Sequence, residues 1–417
     1  MTDIRKGSCI IGQSGGPTAV INASVLGCVE AALQSERVTG VYGAAYGITG
    51  VLDDKLYDLR REDPAELARI KHTPSAVLGS CRYKLADFMT DDADYRRLLE
   101  VFGKYDVRYF FYAGGNDSMD TCSKISAFLT QNDYACKVIG IPKTIDNDLA
   151  LTDHCPGYGS AAKYVATTCM EVSLDAKVYN KGSVTVLEIM GRNTGWLTAA
   201  SALACDGGLG PDLIYLPEIP FDLADFIADV ARVREKKRDV VIAVSEGVRD
   251  KNGDYISSYF SDMSRDKDVF GHAQMGGLAV SLANFAHTRI NVKARGIELS
   301  LLQRCAAHVA SAADIEEAYM AGRAAFEAAE AGIGDKMVAF ARAEGPVYGC
   351  ATTLVDLADV ANAEKKVPRA WINAAGNGLL RPFVDYALPL IRGETALETE
   401  NGLPRFARLK KLPARDA

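Results

Sequence analysis

Short apolar runs along the chain alternate with longer stretches in which apolar residues recur at helical spacing. The runs at 8–12, 107–113 and 137–141 are each followed by such a stretch. This rhythm predicts parallel strands joined by crossover helices. A second series of strand-like runs, at 183–190, 213–216 and 240–244, predicts another unit of the same kind. We therefore expect an α/β protein with two units, each built on a mainly parallel sheet.

The same pattern suggests where the two units divide. A helix is expected from about 315 to the glycines at 332 and 334, and 336–342 has the pattern of a further strand. We expect a first domain of 1–155 with about 303–345, and a second domain of 156–302 with about 346–400. Residues 401–417 form a tail, and its basic run at 408–411 predicts a solvated end.

Composition and charge exclude several classes of protein. Lys and Arg number 47 against 54 Asp and Glu, a net charge of −7, which is unlike a basic nucleic-acid binder. No apolar run approaches the roughly 20 residues of a membrane span, and the N-terminus has no signal-peptide pattern, so we expect a cytoplasmic protein. The ten cysteines have neither C-x-x-C pairs nor a histidine at ligand spacing, which argues against zinc and against a disulfide framework.

Two glycine-rich loops follow predicted strands directly. The first is GQSGGPT at 12–18, and the second is GGNDS at 114–118. Glycines let backbone N–H groups approach an anion, and the start of the next helix adds partial positive charge. Each loop alone is equally consistent with a packing turn, and Asp117 with a helix cap. Two such loops at strand ends indicate a ligand site at one edge of the sheet.

A third loop, PKTIDND at 142–148, carries more chemistry. Its carboxylates Asp146 and Asp148 lie two residues apart, beside Lys143 and Thr144. Such a set can deprotonate a hydroxyl and hold a metal-bound phosphate. Turn formation would explain Asn147 and one aspartate, but not the whole heptapeptide.

These loops are followed, in order, by Met190-Gly191-Arg192, Ser245-Glu246-Gly247 and Gln303-Arg304. As a constellation they resemble the phosphofructokinase family from residue 8 to about 345. The resemblance implies the phosphofructokinase fold, with two Rossmann-like domains. It also implies Mg²⁺-dependent, reversible phosphoryl transfer to the 1-hydroxyl of fructose 6-phosphate, in glycolysis and gluconeogenesis.

The resemblance also implies roles for individual residues. Asp146 matches the catalytic base, Thr144 and Asp148 help to position the sugar and the metal, and Ile145 belongs to the same substrate-binding loop. Gly15 and Arg82 match contacts to the donor phosphate. The implied contacts to the sugar phosphate are Met190, Gly191, Arg192, Glu246, Arg295, Leu301 and Arg304. Arg192 is also a catalytic candidate, unless it is only a surface charge.

One of these positions implies a site shared between subunits, and another departs from the family. Arg295 matches an arginine that reaches into a neighbouring subunit, which implies a homodimer or homotetramer with shared sites. Leu301 stands where the family usually has His or Tyr, so one polar contact is lost. The segment 271–277 resembles the family's His-x-Gln-Arg-Gly-Gly but lacks the arginine; we expect His272 to be structural and Arg304 to bind the phosphate.

The phosphoryl donor is indicated by two substitutions. ATP-using members typically have glycine where this chain has Asp117 and Lys143, and the pair resembles the pyrophosphate-dependent branch. A carboxylate at 117 would meet the α-phosphate of ATP, and one like-charge pair at ~4 Å is worth on the order of 4 kcal/mol, about three powers of ten in binding. Lys143 would instead attract pyrophosphate, unless it is an exposed loop lysine. Asn116 replaces a metal-holding aspartate and remains, with Asp148, a candidate Mg²⁺ ligand.

Several alternatives stay open from the sequence. An ATP-dependent phosphofructokinase could tolerate Asp117, and a pyrophosphate-dependent enzyme could also accept sedoheptulose 7-phosphate. Lipid and NAD kinases share a glycine–aspartate loop, but not 142–148 followed by 190–192. A non-catalytic regulatory subunit would tend to lose Asp146, which is present.

Overall fold

The computed structural model describes residues 6–178, 180–260, 277–345, 347–361 and 363–414. The segment 271–276 lies outside the described residues, so the structural role expected for His272 stays a prediction. The strands are β1 Gly7–Gln13, β2 Val38–Ala44, β3 Leu56–Asp58, β4 Val107–Gly114, β5 Lys137–Pro142, β6 Val184–Ile189, β7 Leu213–Tyr215, β8 Val240–Ser245, β9 Ala294–Glu298, β10 Lys336–Arg342, β11 Cys350–Asp356, β12 Thr399–Glu400 and β13 Leu403–Pro404. The helices are α1 Ile21–Gln34, α2 Ile48–Leu52, α3 Pro64–Arg69, α4 Ala93–Tyr105, α5 Asn116–Gln131, α6 Tyr158–Ala176, α7 Trp196–Ala199, α8 Leu223–Arg234, α9 Leu278–Ile290, α10 Leu302–Cys305, α11 Ala312–Glu330, α12 Leu357–Val360 and α13 Arg381–Ala387.

The larger sheet has the strand order β11-β10-β5-β4-β1-β2-β3, and its central pairs are parallel. Both faces are covered. On β4, Tyr109 and Phe111 pack with α1 and α11, whereas Phe110 and Tyr112 pack with α4 and α5. A strand buried on both faces needs apolar residues at successive positions, which explains the continuous apolar runs in the sequence.

The smaller sheet is wholly parallel, in the order β7-β8-β6-β9. Alternate residues of β6 face opposite layers. Val184 and Val186 pack with α8 and α9, and Leu187 and Ile189 pack with α6, α7 and α13. The predicted strands at 183–190, 213–216 and 240–244 are therefore confirmed as β6, β7 and β8.

Two expectations about the chain after residue 345 are wrong. First, β11 was expected in the second domain, but all seven of its residues pair antiparallel with β10 at the edge of the larger sheet. Second, the described part of the tail does not end free in solvent but is bound along the first domain, although the basic side chains of Arg408, Lys410 and Lys411 are exposed as expected. Glu66 forms an ion pair with Arg405, and Glu62 accepts hydrogen bonds from the backbone N–H groups of Lys410 and Lys411 at 2.7 and 2.6 Å. These acidic partners lie far away in the sequence, so no local pattern indicated that the tail is bound.

Two further sequence expectations concern membranes and cysteines. Among the described residues, no helix is long and apolar enough to cross a bilayer. All ten cysteines are described and none is in a disulfide, as the scattered spacing predicted. The distribution of buried side chains supports this picture, since Cys9, Cys28 and Cys122 lie among the apolar residues of the cores.

Candidate active site

A cleft of about 950 Å³ opens between the two sheets. Strand pairing sets its floor, because Gln13 on β1 lies beside Ala113 on β4, and Gly114 lies beside Pro142 on β5. The three loops predicted from the sequence therefore meet at one sheet edge. Of the predicted site residues, those that line the cleft are Gly15, Arg82, Asn116, Asp117, Lys143, Thr144, Ile145, Asp146, Asp148, Met190, Arg192, Glu246, Leu301 and Arg304.

The first loop is held open by bonds to the chain around residue 81. Gly15 adopts a left-handed backbone (φ 72°), and its N–H donates to the Cys81 carbonyl at 3.0 Å. The Gly15 carbonyl accepts from the Ser80 hydroxyl at 2.6 Å. Lys143 reaches under this loop. Its Nζ donates to the Gly16 carbonyl at 2.8 Å. The first loop and Lys143 are thus in direct contact.

Lys143 is buried, and it is not the exposed loop lysine of the simpler interpretation. Burial lowers its pKa to about 8, and Arg304 and Arg82 act in the same direction, against the opposing effect of Asp146 and Asp148. Water is a poor competitor at such a site, so a positive charge there acts strongly on an anionic ligand. The lysine is therefore a buried group of the cleft in contact with the first loop.

Asp146 and Asp148 lie in the third loop, where two threonine hydroxyl groups hold the backbone of Asp146. The N–H of Asp146 donates to Thr144 Oγ1 at 3.0 Å, and the Asp146 carbonyl accepts from Thr194 Oγ1 at 3.1 Å. The pKa values of both carboxyls are raised, mainly by burial, and by Glu246 at Asp146 and by Asp146 at Asp148. A carboxylate with a raised pKa accepts a proton more readily, as a general base must.

Met190, Arg192 and Glu246 form the opposite wall, at the ends of β6 and β8. The N–H of Gly191 donates to Glu246 Oε1 at 3.4 Å, and Met190 N–H donates to Gln303 Oε1 at 3.2 Å. Gly191 itself does not line the cleft. Its positive φ of 141° and a prospective Cβ only 2.5 Å from the Thr194 carbonyl require glycine.

Arg192 is half-buried in the cleft, where its charge lowers the pKa of Asp146. It is therefore not a plain surface charge. Arg304 lies close to the first loop: its Nη1 is 3.0 Å from the position that a Cβ on Gly16 would occupy. Burial lowers the pKa of Arg304, and the like charge of Arg82 nearby acts in the same direction. Lys143, Arg82 and Arg304 thus concentrate positive charge around the first loop.

Asp117 is exposed in the first turn of α5, where Gly115, and not Asp117, is the N-cap residue. It is not the helix cap of the simpler interpretation. Arg295 is on β9 and does not line this cleft. Its side chain is 55% exposed and lies 3.7 Å from Asp175. A role for Arg295 in this chain's own cleft is not supported by its position.

Comparison with known proteins gives the family. The family model described as "Phosphofructokinase" matches residues 8–297. The chain belongs to the phosphofructokinase family. The phosphofructokinase fold expected from the sequence is confirmed by the solved structures that the chain resembles.

Its relatives carry a narrower name. The chain is 44% identical to a pyrophosphate–fructose 6-phosphate 1-phosphotransferase of Halomonas elongata, over 96% of this chain and 95% of the relative. It is 41% identical to the protein of the same name in Methylococcus capsulatus, over 95% and 94%. The crystal structure of a pyrophosphate-dependent phosphofructokinase from Marinobacter aquaeolei superposes with a TM-score of 0.88, at 38% identity, over 98% of both chains.

Members of the phosphofructokinase family are generally metal-dependent, and the donor atoms here fit Mg²⁺. Asp148 Oδ1 is buried in the cleft and has no hydrogen-bond partner among the residues that the structure describes. Asn116 turns its Nδ2 to the Ala363 carbonyl at 2.7 Å, so its oxygen is the atom suited to a cation. Mg²⁺ prefers oxygen ligands and keeps several waters and substrate phosphates in its shell, so one or two such groups are enough.

Sequence reasoning missed cleft residues outside the family motifs. Asn193, Glu188, Glu298 and Glu364 also line the cleft. Asn193 adjoins a motif residue, and that adjacency was the one available signal. Glu364 lies more than 200 residues from the third loop and has no motif around it, so only the fold brings it there.

A histidine–carboxylate cluster lies outside the cleft. His154 Nε2 and Nδ1 are 2.8 and 2.9 Å from Glu317 and Asp153, and Cys350 lies near them. Sequence spacing gave no sign of this group. Both ring nitrogens are bonded to carboxylates, which raise the pKa of His154 against the effect of burial. The cluster therefore forms a buried ionic link between the third-loop region and α11.

Proposed function

We propose that this protein transfers a phosphoryl group from pyrophosphate to the 1-hydroxyl of fructose 6-phosphate, giving fructose 1,6-bisphosphate and phosphate. The observation that carries the proposal is the buried contact of Lys143 Nζ with the Gly15–Gly16 loop. Lys143 and Asp146 belong to the same loop, 142–148. A cation in that place fits a compact diphosphate. The names of the relatives across nearly the whole chain support the same donor and acceptor.

Asp146 is the residue that takes the proton from the sugar hydroxyl. Its carboxylate lies in the cleft with a raised pKa, because it is buried and close to Glu246. The Asp146 N–H donates to Thr144 Oγ1 and the Asp146 carbonyl accepts from Thr194 Oγ1, and these two hydrogen bonds fix the loop. Because a general base must lie within hydrogen-bond reach of its proton, this rigidity matters for the rate.

Charge around the first loop holds the donor and receives the departing phosphate. Lys143 and Arg82 supply positive charge there, and Gly15 leaves the backbone accessible. Negative charge moves to the leaving phosphate during transfer, so fixed cations stabilise the transition state. Asp117, exposed at the start of α5, excludes the longer chain of ATP phosphates by repulsion and by bulk.

Mg²⁺ would be held through Asp148 and Asn116, together with oxygens of the donor. When bound, it neutralises phosphate charge and helps to orient the transferred group. The acceptor sugar would lie against Met190, Arg192 and Glu246, with Glu246 accepting from a sugar hydroxyl. Leu301, which is exposed at the rim, offers no polar contact to the 6-phosphate.

Arg295 belongs to the proposal as a residue given to a neighbouring subunit. It is exposed and turned away from its own cleft. We propose a homo-oligomer in which this arginine and the cleft's own Arg304 contact the 6-phosphate. The two-domain division, apart from β11 and the tail, and the cytoplasmic location stay predictions.

The test is an initial-rate assay with fructose 6-phosphate and Mg²⁺, in which pyrophosphate or ATP is supplied at equal concentration and fructose 1,6-bisphosphate is detected directly. We expect turnover with pyrophosphate and a kcat/KM for ATP lower by at least ~10²-fold. Turnover with ATP alone would overturn the donor assignment. A parallel series with sedoheptulose 7-phosphate measures the breadth of acceptors.

A further inference from the structure

Residues 363–367, Ala-Glu-Lys-Lys-Val, cross the mouth of the cleft and contact both of its walls. We call them the bridging segment. On the side of the larger sheet, the Ala363 carbonyl accepts from Asn116 Nδ2 at 2.7 Å, and Lys365 N–H donates to the Asp148 carbonyl at 2.7 Å. Glu364 also forms an isolated antiparallel bridge with Leu149. The segment therefore adjoins both candidate metal ligands.

On the side of the smaller sheet, the bridging segment contacts the loop that follows Met190. Trp196 Nε1 donates to the Lys365 carbonyl at 2.7 Å. Glu218 Oε1 accepts from both Val367 N–H, at 3.1 Å, and Gly195 N–H, at 2.9 Å. Backbone groups of the segment are thus tied to the chain on each side of the cleft.

In the contacts above, the bridging segment uses its backbone groups, and these contacts fix its course. Glu364 instead uses its side chain, inside the cleft. Glu364 lines the cleft, and its Oε1 accepts a hydrogen bond from Asn193 Nδ2 at 2.8 Å. Asn193 directly follows Arg192, and its Oδ1 accepts from Arg249 at 3.2 Å. We call residues 190–193 the sugar-phosphate loop, after the role proposed for them. The Glu364–Asn193 bond is therefore a direct side-chain link from the bridging segment to this loop.

We propose that Glu364 is a positioning residue for the sugar-phosphate loop. Through Asn193 it holds the loop, and with it Arg192, at a fixed distance from Asp146 and Asp148. This role rests on the proposed function. Because the Glu364 bond holds the acceptor wall and not the Gly15–Gly16 loop, its loss affects the sugar more than the donor.

Glu364→Ala removes the link, whereas Glu364→Gln keeps an amide oxygen that can accept from Asn193. We expect Glu364→Ala to raise the KM for fructose 6-phosphate roughly 10-fold, as loss of one charge-assisted hydrogen bond allows. The KM for pyrophosphate should change less than about twofold, and the melting temperature should hold, since a solvent-exposed hydrogen bond adds little stability. Glu364→Gln should restore most of the sugar affinity. The Ala variants at 193 and 364 should be non-additive in a double-mutant cycle.

The outcomes separate this inference from the proposed function. If the wild-type protein does not use pyrophosphate and fructose 6-phosphate, the proposed function fails. If the wild type is active and Glu364→Ala leaves the sugar KM unchanged, only the role of Glu364 is overturned. Equal losses for both substrates with a lowered melting temperature, or a Gln variant as impaired as the Ala variant, would also overturn it.

Discussion

Lys143 holds its ammonium group in the buried floor of the cleft, 2.8 Å from the Gly16 carbonyl. Its pKa is lowered to about 8, first by burial. A lysine loses its charge above its pKa, so the free enzyme loses a donor-binding cation as the pH rises through that value. On the acidic side of the pH profile, Asp146 must be ionised to act as a base. Because its pKa is raised, activity should be lost at a higher pH than for an ordinary aspartate.

This gives a prediction for the pH profile. We expect kcat/KM for pyrophosphate to fall above a pH of about 8 in the wild type. In Lys143→Arg, the guanidinium keeps its proton to far higher pH, so the alkaline limb should move upward even if the maximum is lower. The measurement is kcat/KM against pH for both proteins. Superposable limbs would show that Lys143 does not titrate in donor binding.

The base gives a second prediction at this scale. Asp146→Asn preserves the size of the side chain but cannot accept the proton. We expect kcat to fall by ~10²–10⁴, with the KM for fructose 6-phosphate within a few fold. Steady-state kinetics in both reaction directions measure this. A variant as active as the wild type would remove Asp146 from the role of base.

At the scale of elements, α1 and α11 pack so closely that two glycines are required. A Cβ on Gly322 would lie 1.8 Å from the Ser24 carbonyl, and one on Gly27 would lie 2.1 Å from the Tyr319 carbonyl. The obstructing atoms belong to the backbone, which cannot rotate away as a side chain can. These helices cover the face of the larger sheet that includes Ile11 and Phe111.

Gly322→Ala is therefore expected to destabilise the protein, although alanine favours helices. We expect the free energy of unfolding to fall by roughly 2–4 kcal/mol, because the overpacked helices must separate. Gly103→Ala in α4 is the matched control: its Cβ would meet nothing within 4 Å, so stability should rise by about 0.5–1 kcal/mol. Denaturant unfolding measures both, and an unchanged Gly322→Ala protein would contradict this account of the packing.

The sequence predicted those elements whose signals are local. The strands β1, β4 and β5 have continuous apolar runs that end in glycine or polar loops, so the floor of the cleft was predictable. The position of β11 was not, since its seven residues show no sign of which sheet they join. The binding of the tail was also missed, because Glu62 and Glu66, which hold it, lie more than 300 residues away in the sequence.

The candidate site shows the same division. The cleft-lining motif residues were predicted because each lies in a short contiguous signature. Glu364 and the close approach of Arg304 to Gly16 were not, because they depend on contacts between distant segments. Tertiary contacts of this kind depend on the fold and have no local pattern in the sequence.

At the scale of the whole molecule, helices that cover the two different sheets are joined by a buried polar link. Asp314 of α11 accepts hydrogen bonds at 2.9 and 2.8 Å from the N–H groups of Gly157 and Ser160, at the start of α6. Its pKa is raised to about 6, mainly by burial. With the bridging segment, this link holds the walls of the cleft in register.

The arrangement of subunits carries a further prediction. If Arg295 serves a neighbouring site, Arg295→Ala should raise the KM for fructose 6-phosphate in the homo-oligomer. Co-expression with inactive Asp146→Asn chains should restore activity, to about a quarter of the wild-type sites in random dimers, because one site of each mixed dimer has both residues. Rates of purified mixed oligomers test this, and no restoration in a verified mixture would rule out shared sites.

The central claim is that Asp117 and Lys143 select pyrophosphate. The most direct measurement is the ratio of kcat/KM for pyrophosphate to that for ATP, in the wild type and in the double variant Asp117→Gly, Lys143→Gly, with the melting temperature and the fructose 6-phosphate KM as controls. We predict that the ratio falls by at least ~10²-fold in the variant, since a repulsion from ATP and an attraction for pyrophosphate are both lost. An unchanged ratio in a folded variant that still binds the sugar would contradict the claim.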